Sequence, residues 1–96
     1  MAKAKASPAD LVLRLYVAGN APNSLLAVVN ARLLCDRHFA FQHRLEIIDV
    51  LDHPARAMAD QIVVTPTLLK LSPLPVQRVI GNLSNTSQLL LALAGK

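Results

Sequence analysis

Cysteine is almost missing from this chain, which has one, Cys35, among 96 residues. A lone cysteine excludes a disulfide within the chain and is typical of proteins in a reducing compartment. Residues 1–10 carry two lysines but no apolar signal-peptide core, so we expect a cytoplasmic protein. No uninterrupted apolar run reaches the length that spans a bilayer, and we therefore expect no association with a membrane.

Aromatic residues are also scarce, at 3% of the chain, against 53% for all apolar residues. Any core must therefore be aliphatic. The net charge of +4 is spread out, with lysines near both termini and six arginines scattered between them. Nucleic-acid binding normally needs a basic groove with aromatic side chains on which bases stack, and a chain with no basic run and only Tyr16, Phe39 and Phe41 as aromatic residues supports such a site poorly. We therefore predict no nucleic-acid partner.

The length of the chain suits one domain with a modest core. We place that domain at residues 11–96 and expect residues 1–10 to be a flexible or disordered terminus. Apolar periodicity predicts the order β-α-β-α-β-β-α. The predicted strands are residues 11–17, 45–51, 62–71 (interrupted by Pro66) and 76–80, and the predicted helices are residues 25–38, 55–60 and 85–94. The apolar stripe of the first helix is wide, so we expect that helix to be substantially buried.

The loop after the first strand is the best-defined local feature. Gly19 and Asn20 accept the backbone conformations of a tight turn. Pro22 presets the φ angle of a helix start, and Asn23 or Ser24 offers a side-chain oxygen as cap. By the same rules Asp52 caps the second helix ahead of Pro54, and Ser84 or Asn85 caps the third.

A β-α-β start requires two parallel strands with a right-handed crossover, and the late strand pair, joined by a proline-rich turn, should be antiparallel. The result is an α/β fold in which a mixed sheet carries helices on both faces, the thioredoxin-like arrangement. In that arrangement a proline, usually cis, precedes the third strand and faces the first loop. Pro66 is placed to be this structural cis-proline.

The sequence lacks the chemistry of a thioredoxin-type enzyme. Dithiol exchange needs a thiolate at the helix start and a second thiol two residues on, but residues 18–24 contain no cysteine. Cys35, His38 and His43 lie close in sequence, yet a structural zinc site normally has four recognisable ligands. We therefore predict no catalytic residue, metal or cofactor. Asp49, in an apolar strand, is either an acid of raised pKa or a partner of a backbone N–H or an arginine.

Four blocks of sequence carry a resemblance to a known family: LRLYVAGNAPNS (13–24), IIDVLDHP (47–54), DQIVVTPTLLKL (60–71) and LPVQRVIGNLSN (74–85). They resemble the KaiB family of circadian-clock proteins. The resemblance implies a non-enzymatic regulator that binds the hexameric KaiC ATPase, or a KaiC-type relative, and modulates its phosphorylation state. It also implies a role in circadian timing or in a related stress or timing response. Whether KaiA or a sensor histidine kinase is a further partner is left open.

Site residues follow from the resemblance one by one. Lys70 and Arg78 match basic positions of the family and are predicted contacts to the KaiC-type partner, with ordinary solvated charge as the alternative. The loop that replaces the redox motif is predicted to be structural through Gly19, Asn20, Pro22, Asn23 and Ser24.

Members of this family are known for a second, self-associating ground state, in which the carboxyl half adopts another fold. A homo-oligomer, dimer or tetramer, is therefore among the expectations. Alanines at positions 92 and 94 stand where relatives often carry glycine or aspartate, and alanine favours helix over glycine by about 1 kcal/mol. Our hypothesis is that this chain adopts mainly the thioredoxin-like state.

Two other functions remain open from the residues alone. One is a redox protein of the thioredoxin-like class that uses Cys35 alone, although the position of this residue deep in a helix disfavours an activated thiolate. The other is self-assembly through the uncharged, leucine-rich residues 79–95, part of which could form an exposed apolar surface.

Overall fold

A computed structural model describes residues 11–40 and 42–93 of the chain. The predicted flexible segment, residues 1–10, lies outside the described residues. The elements follow the predicted order: β1 (Leu11–Val17), α1 (Pro22–His38), β2 (His43–Asp49), α2 (Pro54–Ala59), β3 (Thr67–Ser72), β4 (Gln77–Ile80) and α3 (Thr86–Leu93).

The four strands form one sheet in the order β2-β1-β3-β4. β1 and β2 are parallel, β3 runs antiparallel to β1, and β4 runs antiparallel to β3. The mixed sheet and the antiparallel late pair are therefore confirmed. The Thr65–Pro66 peptide bond is cis, the isomer expected of the thioredoxin-like arrangement. None of the helices in the described ranges combines the length and apolarity needed to cross a bilayer.

Alternation along β1 divides the core between the two faces of the sheet. Leu11, Leu13, Leu15 and Val17 belong to an apolar cluster with α1 and α3, whereas Tyr16 belongs to a second cluster with Ala57 of α2. Successive side chains of a strand point to opposite faces. α1 and α3 therefore cover one face, called the α1–α3 face below, and α2 covers the other, called the α2 face.

The expectation that α1 is substantially buried is wrong. Its contact with the sheet is made mainly by small residues, Ser24, Ala27 and Ala31, together with Leu34 and Cys35. The large apolar residues point outward, and about half of each side chain is exposed: Leu25, Leu26, Val29 and Leu33. Small residues let a helix approach a sheet closely, so the wide apolar stripe is only partly used.

The third predicted strand is too long at its start. β3 begins at Thr67, opposite Tyr16 near the end of β1. The chain leaves the sheet after Val17, so residues 62–66 have no partner strand, and Val63 is 90% exposed. β2 begins and ends two residues before the predicted strand, because its parallel register pairs His43 with Leu11 and Asp49 with Val17.

Two of the predicted helix caps are also wrong. α1 begins at Pro22 after Ala21, and α2 begins at Pro54 after His53, in each case without a side-chain cap. Pro54 occupies the first helical position, as predicted, whereas Pro22, which was predicted to precede the cap of a helix at 25–38, is itself the first residue of α1. At α3 the cap is confirmed, since Asn85 Oδ1 accepts the Gln88 N–H at 3.0 Å.

Candidate functional site

The loop between β1 and α1 occupies the place where a redox motif would lie, and it forms a tight turn. The Ala21 N–H donates to the Ala18 carbonyl oxygen at 3.1 Å. Gly19 has φ +52°, a conformation that L side chains rarely adopt and that glycine reaches at little cost. The predicted turn at Gly19 is therefore present, and Asn20 beside it is exposed.

Asp49, at the end of β2, holds this loop from the neighbouring strand. Its two carboxylate oxygens each accept the Gly19 N–H at 3.2 Å, and Oδ1 also accepts the Leu51 N–H at 2.9 Å. The Val50 N–H donates to the Val17 carbonyl oxygen at 2.8 Å. Of the alternatives for Asp49, pairing with backbone N–H groups is therefore the one the structure shows.

Ser24 does not cap α1. Its side chain is buried, and its Oγ accepts the Ala18 N–H at 3.1 Å, so the hydroxyl joins the first turn of the helix to the end of β1. Asn23 instead reaches the segment after β4, because its Oδ1 accepts an N–H of Asn82 at 3.4 Å. Asn30 donates to the Asn82 carbonyl oxygen at 2.8 Å. Asn23 therefore helps to connect α1 with the β4–α3 connection.

Cys35 is fully buried in α1. Burial, reinforced by the nearby charge of Asp36, raises the pKa of its thiol to about 11. A thiol in this environment is overwhelmingly protonated at neutral pH and is a poor nucleophile. Within residues 11–40 and 42–93, no group of three or more histidine, cysteine, aspartate or glutamate side chains could hold a metal ion.

Lys70 is fully buried in the middle of the sheet. Its Nζ has no hydrogen-bond partner among the described residues. The alternative of an ordinary solvated charge is therefore wrong for this residue. A contact from Lys70 to a partner stays a prediction, and it requires the side chain to reach the surface.

Arg78, on β4, is exposed but not free. Its guanidinium donates to the Gln61 and Asp60 carbonyl oxygens at 3.2 and 2.9 Å. Both carbonyls belong to the chain just after α2, where Gln61 has φ +57°. Arg78 therefore connects the edge of the sheet to the end of α2, a role that the sequence alone did not reveal.

Sequence reasoning also missed a charged network on the α2 face. Arg14 Nη1 lies 2.9 Å from Asp60 Oδ2, and Arg14 Nε lies 3.4 Å from Glu46 Oε1. Arg56 holds the Glu46 carboxylate in a bidentate contact of 2.7 and 2.9 Å. The Tyr16 hydroxyl donates to Asp60 Oδ2. The register that places Arg14 opposite Glu46 was the missing signal.

The network shifts the acid–base behaviour of its members. Burial alone would raise the pKa of Asp60, but hydrogen bonds from Tyr16 and Arg14 outweigh it and hold this pKa below its ordinary value. The hydrogen bonds from Arg56 are the main reason that the pKa of Glu46 is lowered. Burial, with the hydrogen bond to Asp60, raises the pKa of Tyr16. These groups pair with one another, which indicates a structural role.

Comparison with known proteins identifies relatives of the whole domain. The KaiB domain model matches residues 14–94. The circadian clock protein KaiB3 of Synechocystis sp. is 48% identical over 83 residues, which cover 86% of this chain and 81% of that protein. The circadian clock oscillator protein KaiB of Synechococcus elongatus is 45% identical over 82 residues, which cover 85% of this chain and 80% of that protein.

Solved structures show the same fold. The N-terminal domain of Synechococcus elongatus SasA has a TM-score of 0.71 and 26% sequence identity, covering 94% of this chain and 88% of that one. Mitochondrial thioredoxin 3 of Saccharomyces cerevisiae has a TM-score of 0.72 and 16% identity, covering 88% of this chain and 77% of that one. The second likeness is one of fold alone.

Proposed function

This chain belongs to the KaiB family, and we propose that it is a non-enzymatic regulator that binds a KaiC-type hexameric ATPase and modulates its phosphorylation state. It would act in the cytoplasm as a single domain spanning residues 11–96. Circadian timing and a related stress or timing response are both compatible with this activity. Whether KaiA or a sensor histidine kinase binds as a further partner is left open.

One observation supports a binding role above all. In the loop where a thioredoxin places its two sulfur atoms, Ala18, Gly19 and Ser24 are engaged in bonds that shape the loop. The only thiol is buried and has a raised pKa. The fold of a redox protein is thus present without an activated nucleophile in the loop between β1 and α1. This arrangement favours a protein that works by binding a partner through its surface.

Arg78 is the more accessible of the two predicted contacts. In this structure its side chain is exposed while it donates to the chain after α2, so it could present the remaining face of its guanidinium to an acidic group. Lys70 could take part only if the α1–α3 face opened. We therefore propose that Arg78 contacts the KaiC-type partner in the conformation seen here. Lys70 can contribute only after a conformational change that exposes it.

The test is to mix the purified chain with a KaiC-type hexamer in the presence of ATP and to measure complex formation and the phosphorylation state of the hexamer. We expect a complex, and we expect Arg78→Ala to weaken it by about tenfold, or about 1.4 kcal/mol. Arg37→Ala is the matched control, because Arg37 is an exposed arginine at the end of α1. Absence of binding to every such hexamer tested would overturn the proposal.

Arg78→Lys separates the two roles of Arg78. A lysine retains the charge for a partner but loses the fork that reaches two carbonyl groups at once. If the arginine acts through charge, Arg78→Lys keeps most of the binding. If it acts by holding α2, Arg78→Lys and Arg78→Ala both lower the free energy of unfolding, and binding falls in parallel.

Self-assembly is a second candidate, since Ile80 and Leu91 are mostly exposed within the uncharged segment 79–95. Light scattering over a concentration series tests it. A molar mass that rises to that of a dimer or tetramer, and that falls back in Leu91→Glu, would support assembly through this segment. A constant monomer mass would argue against it.

A further inference from the structure

Residues 62–66 have a strand-like sequence, but they lie beyond the end of the sheet. β1 ends at Val17, and β3 pairs with β1 only from Thr67 onward. No hydrogen bond of the described residues involves the backbone groups of Val63 or Thr65. Since Val63 is also 90% exposed, its unpaired N–H and C=O groups are accessible to another chain.

An apolar cavity lies beside these backbone groups. It is open to the surface and has a volume of about 260 Å³. Its lining comes from the end of β2, from α2 and from the segment before β3: Val50, Ala57, Ile62, Val63, Val64 and Thr65. Leu51 and Met58, each next in the chain to a lining residue, are mostly exposed. A group of exposed apolar side chains around an open cavity is typical of a surface that binds a partner.

The charge beside the cavity is negative, although the whole chain carries +4. Asp49 and Asp52 lie within two residues of Val50, so their Cα atoms are within about 8 Å of that of a lining residue. Neither carboxylate belongs to an ion pair among residues 11–40 and 42–93. Arg56, four residues after Asp52, is held by Glu46 instead. A basic group on a partner would therefore find an opposite charge here.

Strand addition is the binding mode that uses all of these features. An extended segment exchanges main-chain hydrogen bonds with an unpaired backbone, and a pocket for one of its side chains adds specificity. A helix pairs its backbone groups internally, so it would leave those of Val63 without a partner. Acidic residues on the segment would be repelled by Asp49 and Asp52. The occupant that fits is therefore an extended segment with an aliphatic residue and a neighbouring lysine or arginine.

We propose that residues 62–65, together with Val50 and Ala57, form a docking site for an extended, basic segment of a partner protein. The segment pairs its main chain with that of Val63 and Thr65, inserts an aliphatic side chain into the cavity and brings its basic group to Asp52. This site does not include Arg78, so it is a second surface beyond the contact proposed for the KaiC-type hexamer.

The test measures fluorescence polarisation of a fluorescein-labelled peptide in which valine and threonine alternate between two terminal arginines. We expect saturable binding to the full chain. We expect Val63→Asn to weaken it by about tenfold, because the substitution removes an apolar contact at the cavity without adding charge. Val76→Asn is the matched control, since Val76 is another exposed valine and lies just before β4, and it should leave the affinity unchanged.

Changes in the peptide test the other two contacts. The same peptide with N-methylated valines lacks half of its main-chain donors, and we expect it to bind about tenfold more weakly. A peptide with glutamate in place of both arginines should also bind more weakly than the original. In Asp52→Asn the difference between the arginine and glutamate peptides should become smaller, because one of the two carboxylates has lost its charge.

Three results would overturn the proposal. One is the absence of saturable binding at millimolar peptide, and another is equal binding of the N-methylated peptide, which would exclude main-chain pairing. The third is a dimer in light scattering that Val63→Asn converts to a monomer, which would mean that a second copy of the chain occupies the site. None of these measurements uses a KaiC-type hexamer, so the proposal fails or stands separately from the proposed function.

Discussion

On the α2 face of the sheet Arg14 and Arg56 meet Glu46 and Asp60, while on the α1–α3 face Lys70 meets no opposite charge among residues 11–40 and 42–93. Among the described residues, the helix that covers the α2 face has six residues. The charged groups of this face remain partly in water, and they pair. The α1–α3 face is covered by two helices and excludes water from its centre. The difference shows that the degree of cover and the availability of a partner together decide whether a charge stabilises this domain.

The largest expected effect on the α2 face comes from Asp60→Ala. Asp60 accepts from Arg14 and from Tyr16, so its loss removes the acceptor that these two donors share, while Arg14 keeps its contact with Glu46 and the Tyr16 hydroxyl keeps the Arg56 carbonyl oxygen at 3.2 Å. We expect the free energy of unfolding to fall by about 2 kcal/mol, measured by urea denaturation. Asp52→Ala is the control, because this exposed aspartate should change stability by less than about 0.5 kcal/mol. Equal effects in the two variants would contradict the view that pairing on this face stabilises the fold.

A smaller effect is expected from Tyr16→Phe, which removes one donor and keeps the buried ring. The Asp60 carboxylate keeps its contact with Arg14, so the loss should be about 1 kcal/mol in the same denaturation experiment. In a double-mutant cycle, the effect of Tyr16→Phe should largely disappear in the Asp60→Ala background. Additive effects would mean that the hydroxyl is stabilised mainly by another group.

The α2 face should also make stability depend on acid pH. Asp60 and Glu46 have folded-state pKa values below their ordinary values, so they bind protons less readily when folded than when unfolded. Their contribution is therefore fully present above the unfolded-state values, about pH 4, and is lost as the pH falls through the folded-state values. Thermal unfolding between pH 7 and pH 2 should show this decline. The loss should be modest, because both side chains are partly exposed and screened, and it should be reduced in Asp60→Asn.

The reactivity of Cys35 measures how well the α1–α3 face excludes water, because this residue lies in the core cluster of that face. The measurement requires no substitution in the protein. The Cys35 pKa of about 11 and the burial of this residue predict that a thiol reagent at pH 8 labels the folded chain far more slowly than the chain in denaturing urea. Rapid labelling of the folded protein would contradict a tightly closed α1 and would revive the redox alternative.

Local patterns in the sequence were sufficient for much of the fold. The apolar alternation of residues 11–17 and the turn at Gly19 predicted β1 and the loop after it, and both are present. Ser84 or Asn85 was predicted as the cap of the third helix from residue type and position alone, and Asn85 is the one that accepts the Gln88 N–H. These features depend on backbone conformation and on neighbours within a few residues, which a sequence displays directly.

Predictions failed where a neighbouring element decides the outcome. The strand predicted at 62–71 loses its first half because β1 has ended there. Asn23 or Ser24 was predicted to cap α1, but Ser24 bonds Ala18 and Asn23 bonds Asn82 instead. The outward position of Leu26 and its neighbours follows from the small residues that α1 places on the sheet. Each of these results depends on which residues lie opposite one another, and periodicity carries no such information.

By itself, the sequence determined the order of the elements, the absence of sulfur from the first loop and the family to which the chain belongs. Short-range backbone preferences and apolar periodicity are properties of the chain alone. Only the tertiary structure decided which charges are paired: Arg14 pairs with Glu46 and Asp60, whereas Lys70 has no partner in the part of the chain that the structure describes. The reason is that strand register and helix cover set the distance from each charge to water and to its nearest opposite charge.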